Sequence, residues 1–248
     1  MPEEDIPGRR RFVKFCASAM ATVAAHPESL AAANKHYQPY QRVLLVGSDQ
    51  TPVQPDRLEP GENYMFFYPL ATTPCFLLNL GRPVSTPRLL HSTSGEAYHW
   101  PGGVGRNRSV VSFSAICAHK MSHPSRSVSF INYRSEEVQF ADSNMNTQRR
   151  SGVIYCCSEG SVYDPADGAR VLGGPAPQPL ATVVLEHDAE TDSLYAVGTA
   201  GGTMFKPYFE KFWHRLELEF GTENIQRPVE HTTRVTKVSA FSRQRVLC

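Results

Sequence analysis

Residues 109–119 read SVVSFSAICAH and residues 152–164 read GVIYCCSEGSVYD. Each opens on a short β-branched and aromatic run, Ser109 to Ser114 and Gly152 to Tyr155, the composition of a buried strand. Each then passes into a cysteine-bearing segment, Cys117-Ala118-His119 in the first and Cys156-Cys157-Ser158-Glu159 in the second. A strand that gives way to a loop is a natural place for a ligand, because the strand fixes position and the loop frees the side chain. A thiolate and an imidazole separated by one residue on such a loop can reach different irons of one small cluster, and a second loop of the same kind completes the ligand set. That chemistry asks for Cys-x-His in one loop and Cys-x-x-His in the other, and here the first is complete.

Short strand-like runs continue on both sides of these segments. They are Arg42 to Val46, Tyr64 to Tyr68, Cys75 to Leu80, Ser127 to Tyr133, Ala181 to His187 and Ser193 to Gly198, with Asp188 to Asp192 as the turn of a hairpin between the last two. Pro55 to Gly61, Pro101-Gly102-Gly103, Pro165 to Gly168 and Gly173 to Pro179 read as loops, and the polar stretch Ser135 to Ser151 as an exposed one. The expected fold is all-β, an antiparallel β-sandwich or barrel. From Pro207 to Glu219 the pattern changes, since Phe209, Phe212, Trp213, Leu216 and Leu218 fall at roughly helical spacing, and one amphipathic helix is expected there. Beyond it, Arg234 to Cys248 alternates polar and apolar residues and is expected as an edge strand or as an arm lying on a partner. The organisation is then a leader over 1–30, a β domain over 40–204, and a helix with a basic tail over 205–248.

The chain has 248 residues, 25 Lys+Arg against 24 Asp+Glu, and 41% apolar residues. A chain of this length buries roughly 70–75% of its unfolded surface and needs neither metal nor disulfides merely to fold, so a metal site in it is functional. The formal net charge of +1 provides no field that would draw the protein onto nucleic acid, and no run approaches the length of a membrane-spanning helix. The N-terminal segment carries Arg9-Arg10-Arg11-Phe12-Val13-Lys14, then a weakly apolar run from Phe15 to Ala25 and small residues. Those are the parts of an export signal of the twin-arginine type, with a basic amphipathic helix as the alternative. Export places the domain in the periplasm, with at most a peripheral membrane tether. The six cysteines (Cys16, Cys75, Cys117, Cys156, Cys157 and Cys248) form no disulfide framework, and neighbours such as Cys156 and Cys157 bond each other only with strain.

Three segments together resemble the Rieske iron–sulfur proteins: Cys117-Ala118-His119, Cys156 through Asp164, and Gly173-Gly174-Pro175-Ala176-Pro177-Gln178-Pro179-Leu180. The last is similar to the family's proline loop, which lies against the cluster. The hairpin VVLEHDAETDSLYAVG (183–198) looks particularly like the small subunit of arsenite oxidase. The resemblance covers Arg42 to Thr203. It implies a Rieske-like domain with a cluster-binding subdomain, a [2Fe–2S] cofactor, and the ligands Cys117, His119 and Cys156. It also implies Ser161 and Tyr163 as hydrogen-bond donors to a bridging sulfide and a ligand cysteine, and Pro175 in the proline loop. The departures are Glu159 where the family has histidine, and Ser122 and Ser158 where many members carry a disulfide between the loops.

The fourth ligand stays open among the Glu159 carboxylate, Cys157 and His123. A chain that keeps the fold as a cluster-free interaction subunit is the competing expectation. Read without the resemblance, Cys117 is a buried free thiol, Ser161 a turn residue and Tyr163 a core aromatic. The implied role is one-electron transfer within an exported oxidoreductase rather than catalysis by this chain alone. The implied partners are a larger catalytic subunit of the molybdopterin type and a c-type cytochrome as acceptor. His99 and His187 read as packed or solvent-facing side chains, and Gly102-Gly103-Val104-Gly105 lacks the spacing of a phosphate loop.

Overall fold

The computed structural model describes residues 37–202 and 204–248. The twin-arginine segment and Cys16 lie outside the described residues. The strands, in chain order, are β1 (Tyr37–Val46), β2 (Tyr64–Phe67), β3 (Pro74–Asn79), β4 (Arg88–His91), β5 (Ala97–Trp100), β6 (Val110–Ser114), β7 (Val128–Ser129), β8 (Ile131–Arg134), β9 (Val138–Ala141), β10 (Thr147–Arg150), β11 (Val153–Cys156), β12 (Ser161–Asp164), β13 (Arg170–Gly173), β14 (Thr182–Asp188), β15 (Ser193–Ala200), β16 (Thr232–Arg234), β17 (Thr236–Lys237) and β18 (Gln244–Arg245). The expected all-β class and the strand runs seen in the sequence are all present, and the 181–198 hairpin forms with Asp188 opposite Ser193.

The larger sheet has the order β16-β1-β15-β14-β6-β3-β2-β17. Its central strands β3 and β6 are buried along their whole length, and their side chains alternate between two cores. Cys75 and Leu77 join one core with Val43, Leu45, Phe66 and Leu185, while Phe76 and Leu78 join the other with Phe113, Trp100, Ile131 and Tyr163. The second core lies between this sheet and a smaller one ordered β13-β12-β11-β8. β16 and β17 are consecutive in the chain yet stand at opposite ends of the strand order. β16 pairs with β1 and β17 with β2, so residues 232–237 join the two edges and close the sheet into a barrel. The Thr233 hydroxyl adds a bond to the Phe67 carbonyl at 2.9 Å. Closure of this kind covers the outer edges of β1 and β2, while β14 meets β6 only at Thr182.

The helix α1 spans Phe205–Phe220, slightly longer than the expected Pro207 to Glu219, and a short helix α2 spans Val238–Phe241. Phe205, Tyr208, Phe209 and Leu216 of α1 are buried, and the Tyr208 hydroxyl donates to the Thr72 carbonyl at 2.9 Å. Leu218, expected on the apolar face, is instead 77% exposed.

One local expectation is corrected. Ser135 to Ser151 is not an open loop but the β9–β10 hairpin: Val138 and Phe140 are buried on one strand, while Thr147 to Arg150 has no apolar residue to reveal the other. The stretch from Arg234 onward supplies edge strands: β17 ends the large-sheet order against β2, and β18 pairs with β7 of the same molecule.

Phe76 is fully buried between the sheets. Phe76→Ala is therefore expected to lower unfolding free energy by about 3–5 kcal/mol, read from denaturant midpoints at unchanged m value.

Candidate metal centre

Each cysteine-bearing loop begins where a strand of a different sheet ends. After β6, the Cys117 amide donates to the Ser122 carbonyl and the Met121 amide to the Cys117 carbonyl, both at 2.9 Å, which folds 117–122 into a closed turn. Cys156 is the last residue of β11, paired with Ser161 on one side and Ile131 on the other, and the Gly160 amide returns to its carbonyl at 2.9 Å. Neighbouring residues at a strand end point to opposite faces. Cys156 accordingly turns inward toward Cys117, while Cys157 turns outward. The loop over 174–177 lies directly on this second turn. A Cβ at Gly174, whose φ is +78°, would sit 2.2 Å from the Gly160 carbonyl oxygen, so glycine is required there on both counts. Pro175 follows on the exposed side of the same loop.

Cys117 and Cys156 are each 1% exposed, lie in the same buried core, and perturb one another's ionisation. The Tyr163 hydroxyl lies 3.2 Å from the Cys117 sulfur and accepts from the Ala118 amide at 3.2 Å. With that amide occupying the oxygen, the hydroxyl proton is left for the sulfur. The neighbouring Cys156 thiol, the Tyr163 hydroxyl and the amides of His119 and Lys120 together draw the Cys117 thiol down, against the opposing effect of burial. The same contact, with burial, pushes Cys156 up. The Ser158 amide and the Ser122 hydroxyl act in the opposite sense on Cys156, favouring its thiolate. The Ser161 hydroxyl, level with Cys156, is buried and has no partner.

His119 and Glu159 form a second pair. Nδ1 of His119 is buried without a hydrogen bond and lies 3.5 Å from Glu159 Oε2, while Lys120 Nζ lies 3.3 Å from Oε1 of the same carboxylate. Among the described residues no three His, Cys, Asp or Glu side chains converge as a single-ion site would require. The described residues offer two pairs instead, the buried Cys117 and Cys156 and the half-exposed His119 and Glu159.

The two alternative fourth ligands are removed. Cys157 is bonded to Cys248 as a disulfide, so it has no thiolate to offer. His123 is buried edge-on against Tyr208 and Phe212, with Nδ1 2.9 Å from the Met121 carbonyl, and desolvation pushes its pKa down to about 4. It belongs to the packing of α1. The cysteine pattern, which forms no disulfide framework, did not foretell the single Cys157–Cys248 bond. Nothing in the spacing of Cys157 and Cys248 in the sequence signalled that pairing. Gly174 was missed because a glycine in a loop-like segment gives no sign of what it touches. His187 is packed, held by Asp192 at 2.8 Å.

No family model matches the chain. Among solved structures it is similar to the soluble domain of the Rieske protein II (soxF) from Sulfolobus acidocaldarius, at 27% identity over 66% of this chain and 82% of that one, with a TM-score of 0.43.

Two predictions follow from this geometry. Tyr163→Phe removes a donor to the Cys117 sulfur, and in iron-free protein the thiolate absorbance near 240 nm is expected to titrate at higher pH than in the wild type. His123 is neutral when buried and has its ordinary pKa of 6.5 when unfolded, so the stability it contributes is present above pH 6.5 and lost as pH falls toward 4, by up to about 3 kcal/mol. Denaturant midpoints measured between pH 7 and 4.5 are expected to fall less steeply in His123→Phe than in the wild type.

Proposed function

We propose that this chain is a Rieske-type electron-transfer protein, with Cys117 and Cys156 holding one iron of a [2Fe–2S] centre and His119 and Glu159 the other. The observation that carries the reading is the meeting of Cys117 and Cys156 in one buried core, supplied by two different sheets, with a buried imidazole nitrogen that makes no hydrogen bond and a carboxylate 3.5 Å from it. Bound there, the centre supplies a one-electron carrier. The protein's part is to exclude water from the sulfurs and to set their electron density. Tyr163, Ser161 and the amides of His119, Lys120 and Ser158 are the donors available to sulfur, and donors of this kind raise a reduction potential. Glu159 acts in the opposite sense, since a hard anionic oxygen favours the ferric state more than a neutral imidazole does. The His119 side chain is 24% exposed and that of Glu159 44%, so this end of the site faces a docked redox partner.

The partner in this reading is a larger catalytic subunit of the molybdopterin type, as the likeness of the 183–198 hairpin to the arsenite oxidase small subunit suggests, with a c-type cytochrome as acceptor. The compartment is the periplasm, reached through the Arg9-Arg10-Arg11 signal. The Cys157–Cys248 disulfide supports an oxidising compartment. Among the described residues no helix is long and apolar enough to cross a membrane. The second reading, a cluster-free interaction subunit, has one observation in its favour: Glu159 already has Lys120 and His119 as partners.

Protein purified anaerobically separates the two readings. Two irons and two acid-labile sulfides per chain, with an EPR signal after dithionite reduction, are the expected result, and colourless iron-free folded protein overturns it. With iron present, Glu159→His is expected to raise the midpoint potential by on the order of 100 mV, and Glu159→Ala to lower iron content per chain.

A further inference from the structure

The structure assigns to residues 238–248 the role of a strap that holds the second loop in place through Cys248, so that Cys248 is a positioning residue for the candidate centre. Its route supports this. After leaving the barrel it bonds first to Asn63, through the Val238 amide at 2.8 Å, and from there on it contacts the segment that links the two cysteine-bearing loops. The Ser242 hydroxyl donates to the Ser125 carbonyl at 2.7 Å, and the Arg243 amide to the Arg126 carbonyl at 2.9 Å. The Val246 amide donates to the Ser129 carbonyl at 2.9 Å, and Asn132 Nδ2 donates to the Val246 carbonyl at 3.2 Å. Arg134 then donates to the Cys248 carbonyl at 2.8 Å, which places the Cys248 sulfur on Cys157.

The consequence is a closed ring. Ile131 pairs with Cys156 in the small sheet, the strap runs beside Ser129 to Asn132, and the disulfide returns to the residue next to Cys156. Without it, the 156–160 turn is tied to its surroundings by few main-chain bonds, notably Cys157 to the Phe130 carbonyl at 2.8 Å and its own Gly160-to-Cys156 bond. Ser122 and Ser158 cannot cross-link the loops directly. A covalent tie spanning a sequence separation of 91 removes freedom from the turn that the short hydrogen bonds leave to it. In this arrangement one face of the strand end serves the site through Cys156 and the other serves the strap through Cys157. The role toward iron rests on the iron–sulfur reading; the role toward the loop does not.

The test compares full-length wild type and Cys248→Ser by hydrogen exchange with mass spectrometry, alongside iron content. The expected result is exchange over 153–161 faster by about tenfold or more in the variant, with β6 and the β14–β15 hairpin unchanged, and iron lost on dilution that the wild type retains. Unchanged protection of 153–161 overturns the strap, whether or not iron is bound. Faster exchange in the variant, with a wild type that never held iron, leaves the strap standing and removes the iron–sulfur reading instead. If Cys248→Ser loses protection everywhere, folded wild type is reduced with a phosphine and its thiols alkylated. Loss in 153–161 before the β14–β15 hairpin then supports the strap, and simultaneous loss overturns it.

Discussion

The meeting of Cys117 and Cys156 in one buried core is the constraint on which the rest of the molecule depends. Burying two thiols is easy, since a free cysteine packs as a small apolar side chain. Burying them against each other, with a phenol and several amides directed at them, is not something packing alone would arrange. It requires the end of β6, in the large sheet, to meet the end of β11, in the small one. The core between those sheets, with Phe113, Ile131 and Tyr163 among its members, fixes that meeting. Register matters at the level of one residue, because a slip of β11 by a single position would turn Cys157 inward and Cys156 outward, exchanging the site cysteine for the strap cysteine.

Residues 232–248 bind this arrangement together at two points. Their first part joins the two edges of the large sheet, and their last part reaches the small sheet and the second loop. The same stretch therefore closes the barrel and restrains the turn next to Cys156. The shape of the barrel and the position of the turn are coupled by covalent continuity rather than by a packing interface alone.

Much of this was legible in the sequence where side chains alternate. The runs around β3, β6, β11, β14 and β15 carry β-branched and aromatic residues at strand periodicity, and α1 carries its aromatics at helical spacing. What was hidden lacked a local signature. β10 is Thr147 to Arg150, with no apolar residue, and it exists because Val138 and Phe140 on β9 bring their strand to the core and leave an edge to pair. β16, β17 and β18 are two or three residues long, below the length at which a period can be recognised. The partner of Cys157 was equally invisible, because a disulfide is chosen by tertiary proximity and not by spacing. The cysteine–histidine spacing pointed to Cys117, His119 and Cys156, whereas the neighbours that shape them, Gly174 and the Ser122 hydroxyl, came only with the fold.

The electrostatics of the site balances two opposed demands. Amide and hydroxyl groups around the sulfurs stabilise negative charge there, and in a dry setting each such bond counts for more than it would in water. In the proposed iron–sulfur reading, Glu159 adds a negative charge that works against reduction. Lys120 sits on that carboxylate at 3.3 Å, and the Lys211 ammonium donates to the Lys120 carbonyl at 2.8 Å. Both side chains are exposed enough for solvent to weaken the Lys120–Glu159 pair, so it moderates the carboxylate without cancelling it. A partner that docked over His119 and Glu159 and excluded water would strengthen both the carboxylate's effect and its compensation by Lys120. The balance between them, and with it the energy of an electron held at the site, would then depend on whether the partner is in place.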